Sequence, residues 1–377
     1  MPKKKPYLVV IGAGAIGRGY LPWVFADHYD LIFVDANPQL VRQLRQSGGY
    51  TTHIIRDDKL ESKHVTVAGA FGVEDFDLSR FSEAAGIIIS VGPRNTASAA
   101  ELARGARCPI LVCENARETV DIVRNSAQSD NVSFAIPDVI ASNTASPALL
   151  KKDPLAIVTE DGTLFIDDKV GNLKGSFVRC NEGELEKQWI AKLYLHNTPH
   201  CIAAYLGAYV GLEFIHETMR VLSIELIVRG AMQEMLKGLK LGFDIPPDFL
   251  DWYADKELSR FSCNLLYDPI SRVAREPLRK LELDGRLLGA AQVCLSLGFV
   301  PDNILIGTVG ALMFQNSLDP DDQMHFMSRM LPPAVFLSYV LSLRRGEALE
   351  IILRKRLSTI MLKLDDLRKS MGIQNAA

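Results

Sequence analysis

The stretch that decides the fold is Tyr7–Gly17, YLVVIGAGAIG. Its first half, Tyr7–Ile11, is a short apolar run without polar alternation, which suits a strand buried on both faces. Its second half is Gly12-x-Gly14-x-x-Gly17, in which Ala15 and Ile16 open a helical pattern. A strand that runs through spaced glycines into a helix is the setting a dinucleotide-binding fingerprint requires. The first glycine permits a tight turn, the second lets a pyrophosphate approach the backbone, and the third lets the helix pack close to the strand. The N-terminus of the helix then stabilises the phosphate charge. A second apolar run, Leu31–Val34, ends in Asp35. A carboxylate there accepts hydrogen bonds from ribose hydroxyls. No arginine follows it immediately, so a 2′-phosphate would meet an unpaired carboxylate, and NAD is expected rather than NADP.

Farther along, strand and helix patterns alternate. Strands are expected at Val65–Val67, Gly86–Val91, Pro109–Cys113 and Val132–Ala135, and helices at Pro38–Gln46, Thr96–Arg104 and Glu118–Ser126. This alternation implies a doubly wound parallel sheet. Short β-prone pieces follow at Ala156–Val158 and Leu164–Ile166. After residue 184 a period near 3.6 takes over, from Leu185–Leu195 and Pro199–Val210 to Gly346–Met371. The expectation is therefore an α/β nucleotide-binding domain over residues 1–184 and a mainly α-helical substrate domain over 185–377.

Composition limits the functions open to such a chain. It has 377 residues, 48% of them hydrophobic, and 42 Lys+Arg against 45 Asp+Glu for a formal charge of −3. The charge balance argues against a nucleic-acid partner, and the hydrophobic content against disorder. No apolar stretch reaches the roughly 18 residues of a membrane span. Lys3–Lys5 before an apolar run resembles a signal peptide, but Gly12, Gly14 and Gly17 interrupt that run. The six cysteines, at 108, 113, 180, 201, 263 and 294, form no Cys-x-x-Cys pair. Reduced, mostly buried thiols in a cytoplasmic protein are expected.

In doubly wound sheets ligands lie beyond the carboxyl ends of the strands. Val91-Gly92-Pro93 ends one strand and Cys113-Glu114-Asn115 another. Gly92 and Glu114 are therefore assigned to the cofactor side. Asn115 offers an amide donor near where a nicotinamide would lie, although an asparagine there also reads as a turn cap. The segment Lys192–His200, KLYLHNTPH, places a lysine at the end of one helical pattern and a histidine at the start of the next. Pro199 suits a first helical turn, with Asn197 or Thr198 as the cap. A break there would turn Lys192, Asn197 and His200 into one cleft. Oxidation of a secondary alcohol needs a base for the hydroxyl proton and donors for the developing oxyanion. A desolvated lysine and an asparagine amide supply these. The same spacing also fits a solvated hinge lysine beside a capping asparagine. His196 and His200 have the spacing of a metal pair, but no third ligand accompanies them, and no metal is assigned. Arg275, Arg279 and Lys280 form a basic cluster able to grip an anion.

These motifs resemble the polyol-specific long-chain dehydrogenases. The resemblance runs through GAGAIGRGY (Gly12–Tyr20), VDAN (Val34–Asn37), SVGP (Ser90–Pro93), CEN (Cys113–Asn115), KLYLHNTPHCIAAYLG (Lys192–Gly207), RGAMQE (Arg229–Glu234), REPLRKL (Arg275–Leu281) and DNILIGTVGALMF (Asp302–Phe314). It implies a Rossmann-type domain followed by a helical one, and metal-independent, NAD-dependent chemistry on a small sugar alcohol or sugar phosphate. It also implies Lys192 as general base, Asn197 and Asn115 on the oxyanion, and His200 on a substrate hydroxyl. Arg275, Arg279 and Lys280 become substrate contacts. The compact length favours the branch that interconverts mannitol 1-phosphate and fructose 6-phosphate. Two features depart from the family. Its Val-Asp-Arg-Ile element is replaced by PDVIASNTASP (Pro137–Pro147), and no Trp occurs in VTEDGTLFID (Val158–Asp167). These keep three alternatives open: a hexuronate reductase, an unphosphorylated-polyol dehydrogenase, and an NAD-binding relative without turnover.

Overall fold

The structure, a computed structural model, describes residues 5–316, 321 and 323–372. It divides into two compact units. One comprises residues up to Trp189 together with Leu265–Tyr267, and the other Ile190–Asn264 with the chain from Asp268 onward.

The first unit is built on ten strands: β1 Tyr7–Ile11, β2 Asp30–Asp35, β3 Gly49–Arg56, β4 Lys59–Gly72, β5 Gly86–Ile89, β6 Ile110–Val112, β7 Val132–Asp138, β8 Ile157–Glu160, β9 Thr163–Asp167 and β10 Val178–Cys180. Their order is β10-β9-β7-β6-β5-β1-β2-β4-β3-β8. The run β4-β2-β1-β5-β6-β7 is parallel throughout, with the chain order of a dinucleotide-binding sheet. Apart from β4, its strands are largely apolar on both faces because both are covered. Leu8 and Val10 pack with Tyr20 and Leu21 on one side, while Val9 and Ile11 pack with Ala99 and Ala100 on the other. Leu8, Val9 and Val10 are fully buried, each contributing about 1.5–3 kcal/mol.

The sheet is not wholly parallel, because β3–β4 and β7–β9 are antiparallel. The expected strand Val65–Val67 is a fragment of the fourteen-residue β4. The β3–β4 hairpin turns on Asp57 and Asp58, both with positive φ (49° and 57°). That is the backbone a two-residue hairpin turn demands, and Asp tolerates it. β8 and β9 lie toward opposite ends of the strand order, yet only Asp161 and Gly162 join them. So short a link spans roughly 10 Å, so the sheet must curl to bring its two ends together.

The second unit is helical among its described residues. Its longer helices are Thr198–Tyr209, Leu222–Gly242, Pro247–Phe261, Leu288–Ser296, Asp302–Leu312 and Ala348–Ser370. Thr198–Tyr209 is the central one, buried at every position from Thr198 to Gly207. No described helix is long and apolar enough to cross a membrane.

Candidate active site

The nucleotide end of the first unit is a cleft of about 670 Å³ at the carboxyl ends of β1, β2 and β5, where the strand order reverses. Gly12, Gly14, Asp35, Ser90 and Asn95 are among its lining residues. Each glycine of the motif has a distinct job. Gly12 sits at φ +98°, and its N–H donates to the Val34 carbonyl at 2.8 Å. A Cβ on Gly17 would lie 1.8 Å from the Gly12 carbonyl oxygen. A Cβ on Gly14 would meet no protein atom within 4 Å, so that position leaves open the space a pyrophosphate needs.

Ala15 and Ile16 begin a π-helical turn, Ala15–Tyr20, that no side chain caps. Asp35 ends β2. Its Oδ2 accepts the Ala13 N–H at 2.7 Å and its Oδ1 the Asn37 N–H at 2.8 Å. Both oxygens keep lone pairs toward the cleft, and among the described residues no Lys or Arg lines it. Asp35, Glu74 and Asp75 are its charged lining residues, a set that fits ribose hydroxyls and repels a 2′-phosphate.

Glu114 is buried, and its Oε1 accepts the N–H groups of Val91 (2.7 Å) and Gly92 (2.8 Å). It therefore shapes the loop beside the cleft, with Gly92 at φ +89°. Asn115 follows β6 and is exposed.

In the second unit, Lys192, His196, Asn197 and His200 are all buried. The expected helix break is absent. Ala191, Asn197 and Thr198 keep right-handed helical angles, and Lys192–Asn197 is a π-helical turn leading into Thr198–Tyr209. Asn197 caps nothing. The π turn has a physical reason at Pro199, which lacks an N–H to continue the ladder. Thr198 Oγ1 lies 3.3 Å from the Leu193 carbonyl, but its one proton goes to the nearer Arg286 carbonyl at 2.6 Å. The turn also explains the spacing. In an α-helix, residues five apart differ by about 140° in azimuth. A turn closed by i→i+5 bonds brings them back toward one side. Asn197 and His200, three apart, share a face already. A Lys-x4-Asn-x2-His pattern thus presents one face only on such a turn.

Buried partners hold the two histidines. His196 Nδ1 lies 2.5 Å from Glu257 Oε2, and Glu257 Oε1 also accepts from Arg260 at 2.6 Å. His200 Nε2 lies 2.8 Å from Asp268 Oδ2, and Asp268 Oδ1 takes Arg272 Nη2 at 2.5 Å. The His200 ring stacks on Phe261 with centroids 5.1 Å apart. Burial pushes the His196 pKa down to about 4 and that of His200 below its ordinary value, against the pull of their carboxylates. Burial also raises Asp268, but Arg272 and His200 hold it below the usual carboxylate range. A neutral His200 donating Nε2–H to Asp268 keeps Nδ1 as an acceptor for a substrate hydroxyl. The Asn197 amide has no hydrogen-bond partner among the described residues, which leaves its N–H groups for an oxyanion.

The basic cluster divides. Arg275 is exposed and donates to the Arg272 carbonyl (3.3 Å). Arg279 pairs with Glu276 (2.7 Å). Lys280 is buried, with Nζ on the Arg275 carbonyl. The residues missed by sequence reading are Glu257, Asp268, Arg272 and Arg286. Asp268 and Arg272 carried one signal, an i,i+4 acid–base spacing. Among the described residues, no group of three or more His, Cys, Asp or Glu side chains is placed to hold a metal.

The matches to known proteins make the chain an NAD-dependent oxidoreductase acting on CH–OH groups. Residues 6–171 match the mannitol dehydrogenase Rossmann domain and 185–329 the mannitol dehydrogenase C-terminal domain. The chain therefore belongs to the mannitol dehydrogenase family. It is 31% identical over 340 residues to the mannitol-1-phosphate 5-dehydrogenase of Thermoanaerobacter pseudethanolicus, covering 83% of this chain and 87% of that one. It is 29% identical over 334 residues to the enzyme of the same name from Caldanaerobacter subterraneus subsp. tengcongensis, covering 82% and 86%. In fold it is similar to Pseudomonas fluorescens mannitol 2-dehydrogenase, solved with NAD and D-mannitol (TM-score 0.78, 14% identity, 97% and 95% coverage). A D-sorbitol dehydrogenase in substrate-free form gives a TM-score of 0.69 at 14% identity, covering 96% and 95%.

Proposed function

We propose that this protein interconverts mannitol 1-phosphate and fructose 6-phosphate in the cytoplasm, without a metal. The observation that carries the reading is the Lys192, Asn197 and His200 face on a buried π turn, in a chain similar to enzymes named mannitol-1-phosphate 5-dehydrogenase. Lys192 is the general base. In the oxidative direction its neutral amine takes the proton of the C5 hydroxyl as the C5–H bond breaks. NAD, held by Gly12, Gly14, Gly17 and Asp35, supplies the hydride acceptor. The Asn197 amide, with Asn115 as second donor, bonds the alkoxide oxygen as its charge develops, when such bonds are most effective. His200, oriented by Asp268, accepts a hydrogen bond from a neighbouring hydroxyl at Nδ1 and fixes the sugar chain. In reduction Lys192 starts as the ammonium and returns the proton to the oxygen.

A panel assay tests this reading. NADH oxidation is followed with fructose 6-phosphate, fructose, fructuronate and tagaturonate. Fructose 6-phosphate is expected to give the highest kcat/KM. Preference for a uronate would reassign the substrate to a carboxylate. Tight NADH binding without turnover of any of the four would make the chain a non-catalytic relative.

A further inference from the structure

Arg286 lies on the loop between the short helix Pro277–Lys280 and the helix Leu288–Ser296. Its backbone is pinned on two sides. Its carbonyl accepts the Thr198 hydroxyl at 2.6 Å, and the next N–H, that of Leu287, donates to the Lys280 carbonyl at 3.0 Å. Thr198 sits between Asn197 and His200 on the proposed catalytic turn. Arg286 is thus anchored beside that turn, near enough for its charge to act against protonation of His200.

The guanidinium differs from the acid-paired arginines of this unit. Arg272 is paired with Asp268, Arg260 with Glu257, and Arg279 with Glu276. Arg286 is partly buried, and among the described residues no side chain or carbonyl accepts a hydrogen bond from it. Of the groups acting on its charge Arg279 comes first, ahead of the Cys201 and Tyr205 side chains and then Arg272. Lys280 feels it in turn, fully buried with Nζ 5.5 Å from the centre of the Tyr205 ring. Burial and these like charges lower the Arg286 pKa to about 10, and that of Lys280 well below its usual value. Adjacent desolvated cations are costly to keep, and the acid that acts on Lys280, Glu276, is already paired with Arg279. An arginine fork matches a phosphate through paired N–H···O bonds, and a phosphate near two negative charges offsets that cost.

We propose that Arg286, with Lys280 beside it, is the seat of the substrate's phosphate and sets the preference for a phosphorylated over an unphosphorylated ketose. This deepens, and rests on, the sugar-phosphate reading above. It also moves the anion contact from Arg275, which is exposed, and from Arg279, which is already paired with Glu276.

Two measurements on the full chain test it, with NADH binding as the check that each variant is folded. In NADH oxidation, Arg286→Gln should lower the ratio of kcat/KM for fructose 6-phosphate to that for fructose by about 10–100-fold, the loss of a charged hydrogen-bond pair. Arg286→Lys should recover part of it. An unchanged ratio overturns the proposal. Calorimetric titration with inorganic phosphate should show binding to the native chain and none to Arg286→Gln. Equal binding to both, or none to either, overturns it. If the native chain does not turn over fructose 6-phosphate, the sugar-phosphate reading fails by itself. The phosphate titration then still decides whether Arg286 is an anion seat.

Discussion

At the scale of single residues, Lys192 carries the sharpest expectation. Lys192→Ala should lose roughly 10²–10⁴-fold in kcat while still binding NADH, because the nucleotide cleft lies in the other unit. Rates within threefold of native across pH would remove the lysine from its role. His196 makes a different statement. Its folded pKa, near 4, lies below the 6.5 of a free imidazole because burial outweighs the pull of Glu257. As pH falls, the unfolded chain therefore takes up the proton first. The contribution is fully present above about pH 6.5 and is lost as pH falls toward 4. Thermal midpoints measured from pH 7 to 4 should decline less steeply in His196→Gln; parallel curves would contradict this. The Lys192, Asn197 and His200 set was readable because the three fall within nine residues. Glu257, Asp268 and Arg286 were not, because they meet this segment from 61, 68 and 88 residues away in the chain.

At the scale of elements, the glycine turn and the π turn show two kinds of constraint. Gly17→Ala would drive a Cβ into the Gly12 carbonyl, whereas Gly14→Ala meets no protein atom. Thermal denaturation should therefore show Gly17→Ala destabilised by about 1–3 kcal/mol, with Gly14→Ala near native. NADH titration should show Gly14→Ala weakened through the pyrophosphate contact. Equal melting of the two variants would refute the division of labour. The strand–glycine–helix order was legible because burial on both faces leaves an unbroken apolar run. The β3–β4 hairpin escaped because the first part of β4, KLESKH, is mostly polar and exposed. Its Asp57-Asp58 turn also lacks the glycine that marks most hairpins. The π turn escaped for another reason: Pro199 reads locally as a helix start, and only packing keeps the backbone helical through it.

At the scale of the whole molecule, none of the six cysteines is in a disulfide, and Cys113, Cys180, Cys201 and Cys294 are buried. Reductant should leave the melting temperature unchanged. A thiol reagent should label at most Cys108 and Cys263 in the folded chain and all six in denaturant; fast labelling of four or more in the native state would contradict the packing. A net charge of −3 gives an anionic substrate no long-range attraction, so its capture falls to local cations. The sequence by itself determined the nucleotide half, the helical half and the lysine motif, because periodicity and spacing are local properties of the chain. Only the tertiary structure decided which charges are spent and which are left over. Glu276 takes Arg279, Asp268 takes Arg272, and Arg286 remains. Ion pairing and desolvation depend on distances in space that separation along the chain does not set.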